Sequence, residues 1–465
     1  MNDLAIVNGK IFDGFNSYKA NIYVKDGKIS AVSSRVLDAA EIYDADGFYI
    51  FPGLIDPHVH FALNLGKYRS ADDFESGSRG AAFGGVTTFV DFLDPITEDS
   101  EIDENFSRRS ELASSSHVDY SFHMTIAHPN IAPEKLIRRT LALGLNSIKC
   151  FTTYSLSDRM TGDGYIFELL KSSKDLGVVI TFHAENDPIV IHRNSVIEKH
   201  LPKDLPFLHP YESEAEAVSR IGTFARLTNG QAYIVHNSSG RSIQLLKEYG
   251  IPPNLRLETC PQYMTLDDSR YEGNSDEVAI HTLVPPLRSE FDLQLMRKYF
   301  TDGIFSTVGT DHCPFTKKEK IENMNDYDSM PNGIGGIETS FSILYTFFVN
   351  KGLIPLNSLV RMQSVNVANI FGLTHKGRVV PGADADIAIF DPTKEWEVSI
   401  DSLHTNSDYT PYEGMKLKGK FVSTVVRGDF VVKNGKFIDK SKGKFIERKP
   451  VFWNDIKKYN DYGGE

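Results

Sequence analysis

The sequence contains few cysteines, and their positions do not form pairs. Cys150, Cys260 and Cys313 are widely separated in a chain of 465 residues. Disulfide-stabilised scaffolds carry an even number of cysteines at short, regular spacings. The sequence therefore excludes that class of secreted protein. Its free thiols suit the reducing cytoplasm, where we expect the protein to be located.

Long apolar runs and an excess of positive charge are also missing. We find no apolar run of about 18 residues, the minimum for a membrane span, and no secretion signal after Met1. The 50 lysines and arginines are outnumbered by 62 aspartates and glutamates, so the net charge is −12. Because a negative protein repels phosphate groups, we expect neither nucleic acid nor a membrane as a partner.

What the sequence does contain is enough apolar material for a large core. Hydrophobic residues make up 41% and charged residues 24%, which is typical of soluble globular proteins. Both ends of the chain alternate β-rich runs with Asn-Gly and Asp-Gly turn signals. Neither end is long enough for a stable sheet of its own. We therefore predict that residues 1–50 and 376–440 pair into one small β-sandwich domain.

The middle of the chain, residues 51–375, alternates strands with helix-like spacing. Eight successive β/α units predict a closed barrel of the TIM (β/α)8 type, so the predicted fold class is α/β. An open doubly wound sheet is the alternative, but it needs a glycine-rich phosphate-binding turn after its first strand, and none is present. The candidate strands are Leu54–His60, Val86–Leu93, Tyr120–His128, Asn146–Thr152, Val178–Glu185, Ala232–Ser238, Leu255–Cys260 and Thr307–His312. Helices are expected at Ser340–Lys351 and Leu356–Phe371.

Two further segments have no clear periodicity. The polar stretch Thr316–Asn332 follows the last candidate strand, and we interpret it either as a loop over the barrel mouth or as a disordered surface excursion. The tail, residues 441–465, is charged and then aromatic. It is either an oligomer contact or a frayed end, and its aromatic residues are Phe452, Trp453, Tyr459 and Tyr462.

The first barrel strand carries two histidines. Side chains at positions i and i+2 of a strand point to the same face, so His58 and His60 can face one cavity. Two imidazoles in that arrangement can bind one metal ion. An isolated pair of this kind is more often a structural coincidence, and the hypothesis therefore depends on further ligands elsewhere.

Other predicted strand ends supply residues of the same kind. In a TIM barrel the functional groups lie at the carboxyl ends of the strands. Lys149, His183, His236 and Asp311 all fall in or just after candidate strands. This coincidence at one end of one barrel favours a metal site over separate structural roles.

Lys149 is the unusual member, because a lysine within a buried strand is costly unless it is paired. An ammonium group cannot bind a metal ion. Carboxylation by carbon dioxide would convert the amine into an anion with two oxygens. An ion pair between Lys149 and Asp311 is the alternative.

Seven stretches carry a family resemblance: Phe51-Pro-Gly-Leu-Ile-Asp-Pro-His-Val-His, Ser70-Ala-Asp-Asp-Phe-Glu-Ser-Gly-Ser-Arg-Gly-Ala-Ala-Phe-Gly-Gly-Val-Thr-Thr, Ile148-Lys-Cys-Phe-Thr-Thr-Tyr, His183-Ala-Glu-Asn, Glu258-Thr-Cys-Pro-Gln-Tyr, Val284-Pro-Pro-Leu-Arg and Gly309-Thr-Asp-His-Cys-Pro-Phe. With them the sequence resembles the amidohydrolase superfamily, and within it the hydantoinase/dihydropyrimidinase group, over nearly its whole length.

The resemblance implies a site with two divalent metal ions, usually zinc. His58, His60 and Asp311 would bind one ion, and His183 and His236 the other. A carboxylated Lys149 (N6-carboxylysine) and a hydroxide would bridge them.

The implied reaction is hydrolysis of a cyclic amide: a hydantoin or dihydropyrimidine ring opens to an N-carbamoyl amino acid. Asp311 would act as general base and then general acid. Tyr154 would donate a hydrogen bond to the developing oxyanion.

The resemblance also bears on the substrate. Dihydroorotases carry an arginine just after the His-x-His-Phe unit, whereas Phe61 is followed here by Ala62 and Leu63, so no guanidinium is available there for a ring carboxylate. Allantoinases generally lack a tyrosine at the position of Tyr154. A cyclic ureide or imide hydrolase such as an allantoinase is the alternative, and a dihydroorotase or a non-catalytic scaffold is less favoured.

Substrate contacts are expected from several positions. In the family, main-chain groups near Val284 and Asn332 bind the amide edge of the ring, although Val284 replaces the serine that is common in hydantoinases. Core packing is the alternative for the apolar residues that could line the pocket, which are Phe61, Leu63, Leu65 and Phe151. Cys150 should face the surrounding helices, and we assign no chemistry to His312 or Cys313. The family also implies a homo-oligomer, a tetramer.

Overall fold

The computed structural model describes residues 1–273, 275–439 and 442–453. Short strands come first in the chain, and tight turns join several of them. Asp26 and Gly27, for example, have φ angles of 51° and 74°. Two left-handed residues in succession form the turn that best suits the twist of a two-residue hairpin. The first strands are β1 (Asn2–Val7), β2 (Lys10–Phe12), β3 (Ser17–Lys19), β4 (Asn21–Lys25), β5 (Lys28–Ser33), β6 (Ala39–Asp44) and β7 (Tyr49–Pro52).

Eight parallel strands follow and form the barrel sheet, in sequence order. The first and last strands also meet: Val59 forms a parallel bridge with His312, and the His60 amide donates to the His312 carbonyl at 3.0 Å. The closed barrel that the sequence predicts is therefore confirmed. Its strands are β8 (Leu54–Val59), β9 (Val86–Phe92), β10 (Asp119–Thr125), β11 (Ser147–Phe151), β12 (Val179–His183), β13 (Ala232–Ile234), β14 (Leu255–Thr259) and β15 (Thr307–Val308).

The two chain ends share a sheet, as predicted. The last strands are β16 (Ile387–Glu397), β17 (Lys416–Val426), β18 (Asp429–Lys433) and β19 (Lys436–Phe437). Strand β7 pairs with β16 and β2 in a seven-stranded sheet, and a four-stranded sheet has the order β5-β4-β1-β6. A separate apolar cluster that includes Ile6, Ile22, Ile50, Ile389 and Val425 contains side chains from both sheets. On this topology we propose domain limits of 1–50 with 376–440 and 51–375, although β7 extends past residue 50.

Helices surround the barrel strands. Several begin at residues whose side chains cap the first turn, as Asp73 does by accepting from the Ser76 amide. The helices are α1 (Phe74–Phe83), α2 (Ile102–Ala113), α3 (Pro133–Ala142), α4 (Asp163–Leu176), α5 (Asp187–Ser195), α6 (Leu205–Leu208), α7 (Tyr211–Thr228), α8 (Gly240–Tyr249), α9 (Gln262–Thr265), α10 (Ser275–Ala279), α11 (Glu290–Thr301), α12 (Lys317–Ile321), α13 (Ser340–Leu344), α14 (Leu356–Val360) and α15 (Asn366–Ile370). The helices expected at Ser340–Lys351 and Leu356–Phe371 both occur, but π-helical turns at Tyr345–Val349 and Arg361–Val365 interrupt them.

Several barrel strands end earlier than the sequence predicts. The sequence favours strands up to Ser238 and His312, whereas β13 ends at Ile234 and β15 at Val308. The physical reason is the backbone: His236 and Asp311 have φ angles of 38° and 53°, which are left-handed and incompatible with a strand ladder.

The described part of the tail, residues 442–453, runs along the amino-terminal ends of the barrel strands. Its backbone exchanges hydrogen bonds with residues ahead of, or at the start of, successive strands, including Tyr120, Gly144 and Gly177. The Trp453 side chain is 4% exposed, and its amide donates to Gln231 Oε1 at 2.7 Å. This part of the tail thus packs against its own barrel, whereas Tyr459 and Tyr462 lie outside the described residues. Within the described ranges, no helix is both long and apolar enough to cross a membrane.

Candidate active site

A cavity of about 730 Å³ opens at the carboxyl end of the barrel. The loops that follow the barrel strands form its walls, which is where this fold places functional groups. The sequence-predicted site residues all line it, and they are His58, His60, Lys149, Tyr154, His183, His236, Val284, Asp311 and Asn332.

The first group within the cavity consists of two histidines and one carboxylate. The Nε2 atoms of His58 and His60 each lie 3.1 Å from Asp311 Oδ1. Burial would raise the pKa of the Asp311 carboxyl, but the two histidines outweigh burial and hold that pKa well below its usual range. The ligand atoms of these three residues lie within 4.8 Å of one another, so they could share one metal ion.

A buried carboxylate supports this group from behind. Glu258, on β14, is fully buried, and its Oε1 lies 2.8 Å from His58 Nδ1. The same carboxylate accepts from the His236 amide at 2.9 Å and from the Tyr233 hydroxyl at 2.7 Å. Gly309 makes room for it, since a Cβ there would lie 2.8 Å from the Glu258 carboxyl carbon. A carboxylate on one ring nitrogen fixes the tautomer and directs the other nitrogen toward a metal ion.

The second group contains His183 and His236. His183 Nδ1 lies 2.9 Å from His236 Nε2, and His183 Nε2 lies 2.7 Å from Glu185 Oε2. Because the carboxylate can only accept, His183 Nε2 carries the proton, and Nδ1 offers a lone pair toward His236. Burial and the neighbouring His183 keep the pKa of His236 well below its usual value, so His236 is neutral. Two neutral imidazoles whose nitrogens face each other are a suitable pair of ligands for a cation.

Lys149 projects from β11 between these groups. Its side chain forms no hydrogen bond or ion pair with any residue in the described ranges, so an ion pair with Asp311 is not formed. Its Nζ lies 5.3 Å from the Phe92 ring centre and 5.4 Å from that of Phe151. Burial lowers the pKa of this amine to about 8.

Tyr154 lies beside the second group. Its hydroxyl is 3.3 Å from His183 Nε2. Burial and the nearby Glu185 carboxylate raise the pKa of the phenol well above its usual value, so it is protonated and can donate. Tyr154 has a φ of 71°, and together with His236 and Asp311 it is among the left-handed non-glycine residues of the chain. Such conformations cluster at functional sites because the surrounding structure must enforce them.

Two loops approach each other on the opposite wall. The Gly333 amide donates to the Thr282 carbonyl at 3.0 Å, which holds the Asn332 loop against the segment that leads to Val284. Asn332 Nδ2 donates to the Tyr327 hydroxyl, while its buried Oδ1 has no partner among the residues described. The segment Thr316–Asn332 thus contributes α12 and part of this wall.

A buried lysine holds the same loops together. Lys320 Nζ, on α12, donates to the Thr282 carbonyl at 2.8 Å and to the Thr282 hydroxyl at 2.9 Å. No carboxylate forms an ion pair with Lys320 anywhere in the described ranges, and burial lowers the pKa of this amine to about 7.

The apolar residues predicted for the pocket divide into two kinds. Leu63, Leu65 and Phe151 line the cavity. Phe61 does not, because it packs with Phe74 and Phe89 in the core, with ring centres 5.9 and 4.9 Å away.

The cysteines are buried, and burial raises the pKa of each thiol. Cys150 belongs to the main apolar core, as expected for the face opposite Lys149. His312 binds Asp72 at 2.9 Å and accepts from the Gly336 and Ile337 amides, so it fixes the loop after Asp311.

A second cluster of carboxylates lies at the barrel–sandwich boundary. Asp119, Asp384 and Asp386 could in principle bind a cation together. The Lys376 ammonium already occupies the space between them, with Nζ–oxygen distances of 2.5, 3.0 and 2.6 Å, respectively. We therefore regard this cluster as structural.

Sequence reasoning missed the residues behind the ligands. Glu258 appeared only as part of a motif, and Glu185, which also binds His209 Nδ1 at 3.0 Å, had no role. Arg159 was not singled out at all, although it lines the cavity. A search for carboxylates on or next to the barrel strands would have found the two glutamates.

Comparisons with known proteins match almost the full length of this chain to members of one enzyme family. The model of the Amidohydrolase family matches residues 49–431. A D-hydantoinase of Geobacillus stearothermophilus is 36% identical over 463 residues, which cover 95% of this chain and 96% of that protein. The crystal structure of a dihydropyrimidinase from Brevibacillus agri NCHU1002 has a TM-score of 0.91 at 34% identity and covers 97% of this chain and 99% of the other. The D-hydantoinase of Bacillus sp. AR9 has a TM-score of 0.92 at 33% identity, with coverage of 97% and 100%.

Proposed function

Because the chain belongs to the amidohydrolase family, and within it to the hydantoinase group, we propose that it opens the ring of a hydantoin or a dihydropyrimidine to give an N-carbamoyl amino acid. It is thus a metal-dependent cyclic amidohydrolase. The single observation that carries the proposal is the convergence of His58, His60, His183, His236 and Asp311 on one cavity.

The donor set fits a pair of divalent ions. His58, His60 and Asp311 would hold one ion, and His183 and His236 the other. Lys149 has no hydrogen-bond or ion-pair partner in the part of the chain that the structure describes, which supports its carboxylation; the carbamate would provide two further oxygen ligands. When bound, such ions lower the pKa of water and polarise a carbonyl group. Imidazole and carboxylate ligands suit zinc, which we propose as the metal.

The chain's own residues would handle the proton and the substrate. An Asp311 carboxylate oxygen takes the proton from the attacking water and passes it to the departing amide nitrogen. The Tyr154 hydroxyl donates to the oxygen of the opening carbonyl. The Asn332 Oδ1, which has no partner within the described ranges, and main-chain groups at Val284 would bind the amide edge of the ring.

The cavity also bears on alternative substrates. The position after the His-x-His-Phe unit offers Ala62 and Leu63 rather than a guanidinium, so a carboxylate on the ring carbon has no partner there. The relatives are hydantoinases and a dihydropyrimidinase, so allantoinase activity is not favoured. The ligand positions are all filled, which speaks against a non-catalytic scaffold.

The proposal is tested by measuring ring opening of hydantoin and dihydrouracil, with allantoin and dihydroorotate in the same panel. We expect turnover of the first two substrates, its loss after dialysis against a chelator, and recovery on addition of zinc. Turnover that survives complete metal removal, or no turnover of any cyclic amide, would refute the proposal. Faster turnover of allantoin than of hydantoin would favour the alternative.

Carboxylation of Lys149 needs its own test. Enzyme equilibrated with ¹³C-labelled bicarbonate is expected to show a protein-bound carbamate signal by NMR, and a Lys149→Gln variant should lack it. Equal signals from both proteins would place the carbamate elsewhere.

We also propose a homo-tetramer in the cytoplasm. The free, buried thiols suit a reducing compartment. Light scattering decides the assembly, because a monomeric mass would exclude a tetramer.

A further inference from the structure

We propose that Arg159 recognises an acidic group on the exocyclic side chain of the substrate, so that the enzyme prefers cyclic amides that carry a carboxylate beyond the ring. This inference rests on the proposed ring-opening activity and names the substrate class for it. The observations behind it are the charged side chains of the cavity wall and their partners.

The arginines that line the cavity are Arg108, Arg109 and Arg159. Arg108 Nη2 lies 2.6 Å from Asp94 Oδ2, and Arg109 Nη2 lies 2.7 Å from Asp91 Oδ1. Arg159, by contrast, has no side-chain hydrogen bond and no ion pair with any residue that the structure describes. Arg159 is therefore the one guanidinium on this wall that has no carboxylate partner among the described residues.

The carboxylates of the cavity cannot supply that charge, because each is already engaged. Asp91 and Asp94 hold the other two arginines, and Asp311 contacts His58 and His60. Asp158, the residue before Arg159, has a side chain that is 86% exposed and lies 4.0 Å from His128 Nδ1. An anion that pairs with Arg159 thus has to arrive with a ligand.

The backbone holds Arg159 in a fixed relation to the proposed oxyanion donor. The Arg159 amide donates to the Tyr154 carbonyl at 3.1 Å, which closes a short turn. Tyr154 and Asp158, with φ angles of 71° and 57°, frame that turn in left-handed conformations. Tyr154 and Arg159 both line the cavity, so a ligand whose carbonyl approaches Tyr154 can extend toward Arg159.

The chemistry of a guanidinium favours a carboxylate as that part. Its planar donors match two carboxylate oxygens in a bidentate contact, which adds geometric selectivity to charge. Arg159 is half-buried, so salt screens such a contact less than one on an open surface. Leu63, Leu65 and Phe151 line the same cavity and can cover the methylene groups of the substituent.

The test compares two substrates of nearly equal size, 5-carboxymethylhydantoin and its neutral amide, 5-carbamoylmethylhydantoin. We expect wild-type kcat/KM to be at least tenfold higher for the acid. In Arg159→Gln this ratio should fall to near one, mainly through a higher KM for the acid. Arg159→Lys should keep part of the preference, because it retains the charge but loses the bidentate geometry.

Arg108→Gln is the matched control. It removes a guanidinium from the same cavity, but one that Asp94 already neutralises, so the acid-to-amide ratio should stay within about threefold of wild type, a change of less than 1 kcal/mol. Raising the salt concentration should lower the wild-type ratio and leave that of Arg159→Gln unchanged.

Several outcomes would overturn the inference. An equal fall for both substrates in Arg159→Gln would mean that Arg159 only supports the fold of the loop. An unchanged ratio, together with weaker inhibition by N-carbamoylglycine, would assign Arg159 to the carboxylate formed in the product. No ring opening of any substrate by the wild-type enzyme would instead refute the proposed function itself.

Discussion

Replacing Glu258 with glutamine should weaken metal binding without unfolding the barrel. The Glu258 carboxylate accepts from His58 Nδ1, from the His236 amide and from the Tyr233 hydroxyl at 2.7–2.9 Å. A glutamine can keep these contacts, because its carbonyl oxygen can still accept and its amide can donate to the Tyr233 oxygen. What it loses is the negative charge, which strengthens the hydrogen bond to His58 and raises the basicity of that imidazole.

The expected loss of zinc affinity follows from the kind of contact that Glu258 makes, a hydrogen bond that supports a metal-binding histidine. Loss of a supporting partner of a metal-binding histidine typically lowers metal affinity about 10–100-fold, or about 1.4–2.7 kcal/mol. Glu258 contacts the imidazole ring of His58 and the backbone amide of His236, and both residues are proposed ligands. We therefore expect the upper part of that range. The fold should remain intact, since full loss of a buried acceptor, which costs about 1–3 kcal/mol, is avoided.

The assay is competition for zinc between the protein and a chromophoric chelator, with circular dichroism to check the fold. Glu338→Gln is the matched control, since Glu338 is also a buried carboxylate bonded to a histidine, His404, at 2.8 Å, but lies away from the cavity. Equal zinc affinities for Glu258→Gln, Glu338→Gln and wild type would refute the reasoning.

Two further predictions concern stability. Burial lowers the Lys320 pKa from 10.5 to about 7, so the unfolded chain binds the extra proton between these values and stability rises with pH across that window. From pH 8 to pH 10 this gain is about 2–3 kcal/mol. Lys320→Met should lack it, so wild type should gain about 2–3 °C in melting temperature relative to the variant; parallel curves would contradict this. Trp453→Ala should cost about 3–5 kcal/mol and lower the melting temperature by a few degrees, since the ring is buried against the barrel. Its kcat/KM on hydantoin should match wild type, and a selective loss of activity would contradict the placement of this ring at the end opposite the cavity.

The barrel was predictable because its evidence is local. Each strand is a short apolar run between helix-like segments, and the order of the strands then follows from the handedness and sequence of the connections. The pairing of the two chain ends was also predictable, since neither set of short strands could form a stable sheet alone. Strand alternation alone places only His58 and His60 on one face. The division of the other candidate ligands between two metal ions comes from the family resemblance.

What the sequence could not predict depends on side chains that meet across the barrel. Glu258 and His58 are 200 positions apart, and no periodicity connects them. The sequence predicts strands that extend too far, because His236 and Asp311 adopt left-handed backbone conformations that residue type does not reveal. Likewise, only the folded structure reveals that Arg108 and Arg109 have carboxylate partners and that Arg159 has none among the residues described.

The Lys376 cluster has a consequence for anyone who exchanges parts between relatives. Asp119 belongs to β10 of the barrel, whereas Asp386 immediately precedes β16 of the sandwich. Lys376, Asp384 and Asp386 all lie on the sandwich side of the proposed boundary. A chimera that takes its sandwich from a protein without Lys376 and Arg427 would therefore leave the buried Asp119 carboxylate of the barrel without a counter-ion, at a cost of several kcal/mol. Lys376, Asp119, Asp384 and Asp386 should therefore be transplanted together, so that recombination across this boundary is limited by charge as well as by shape.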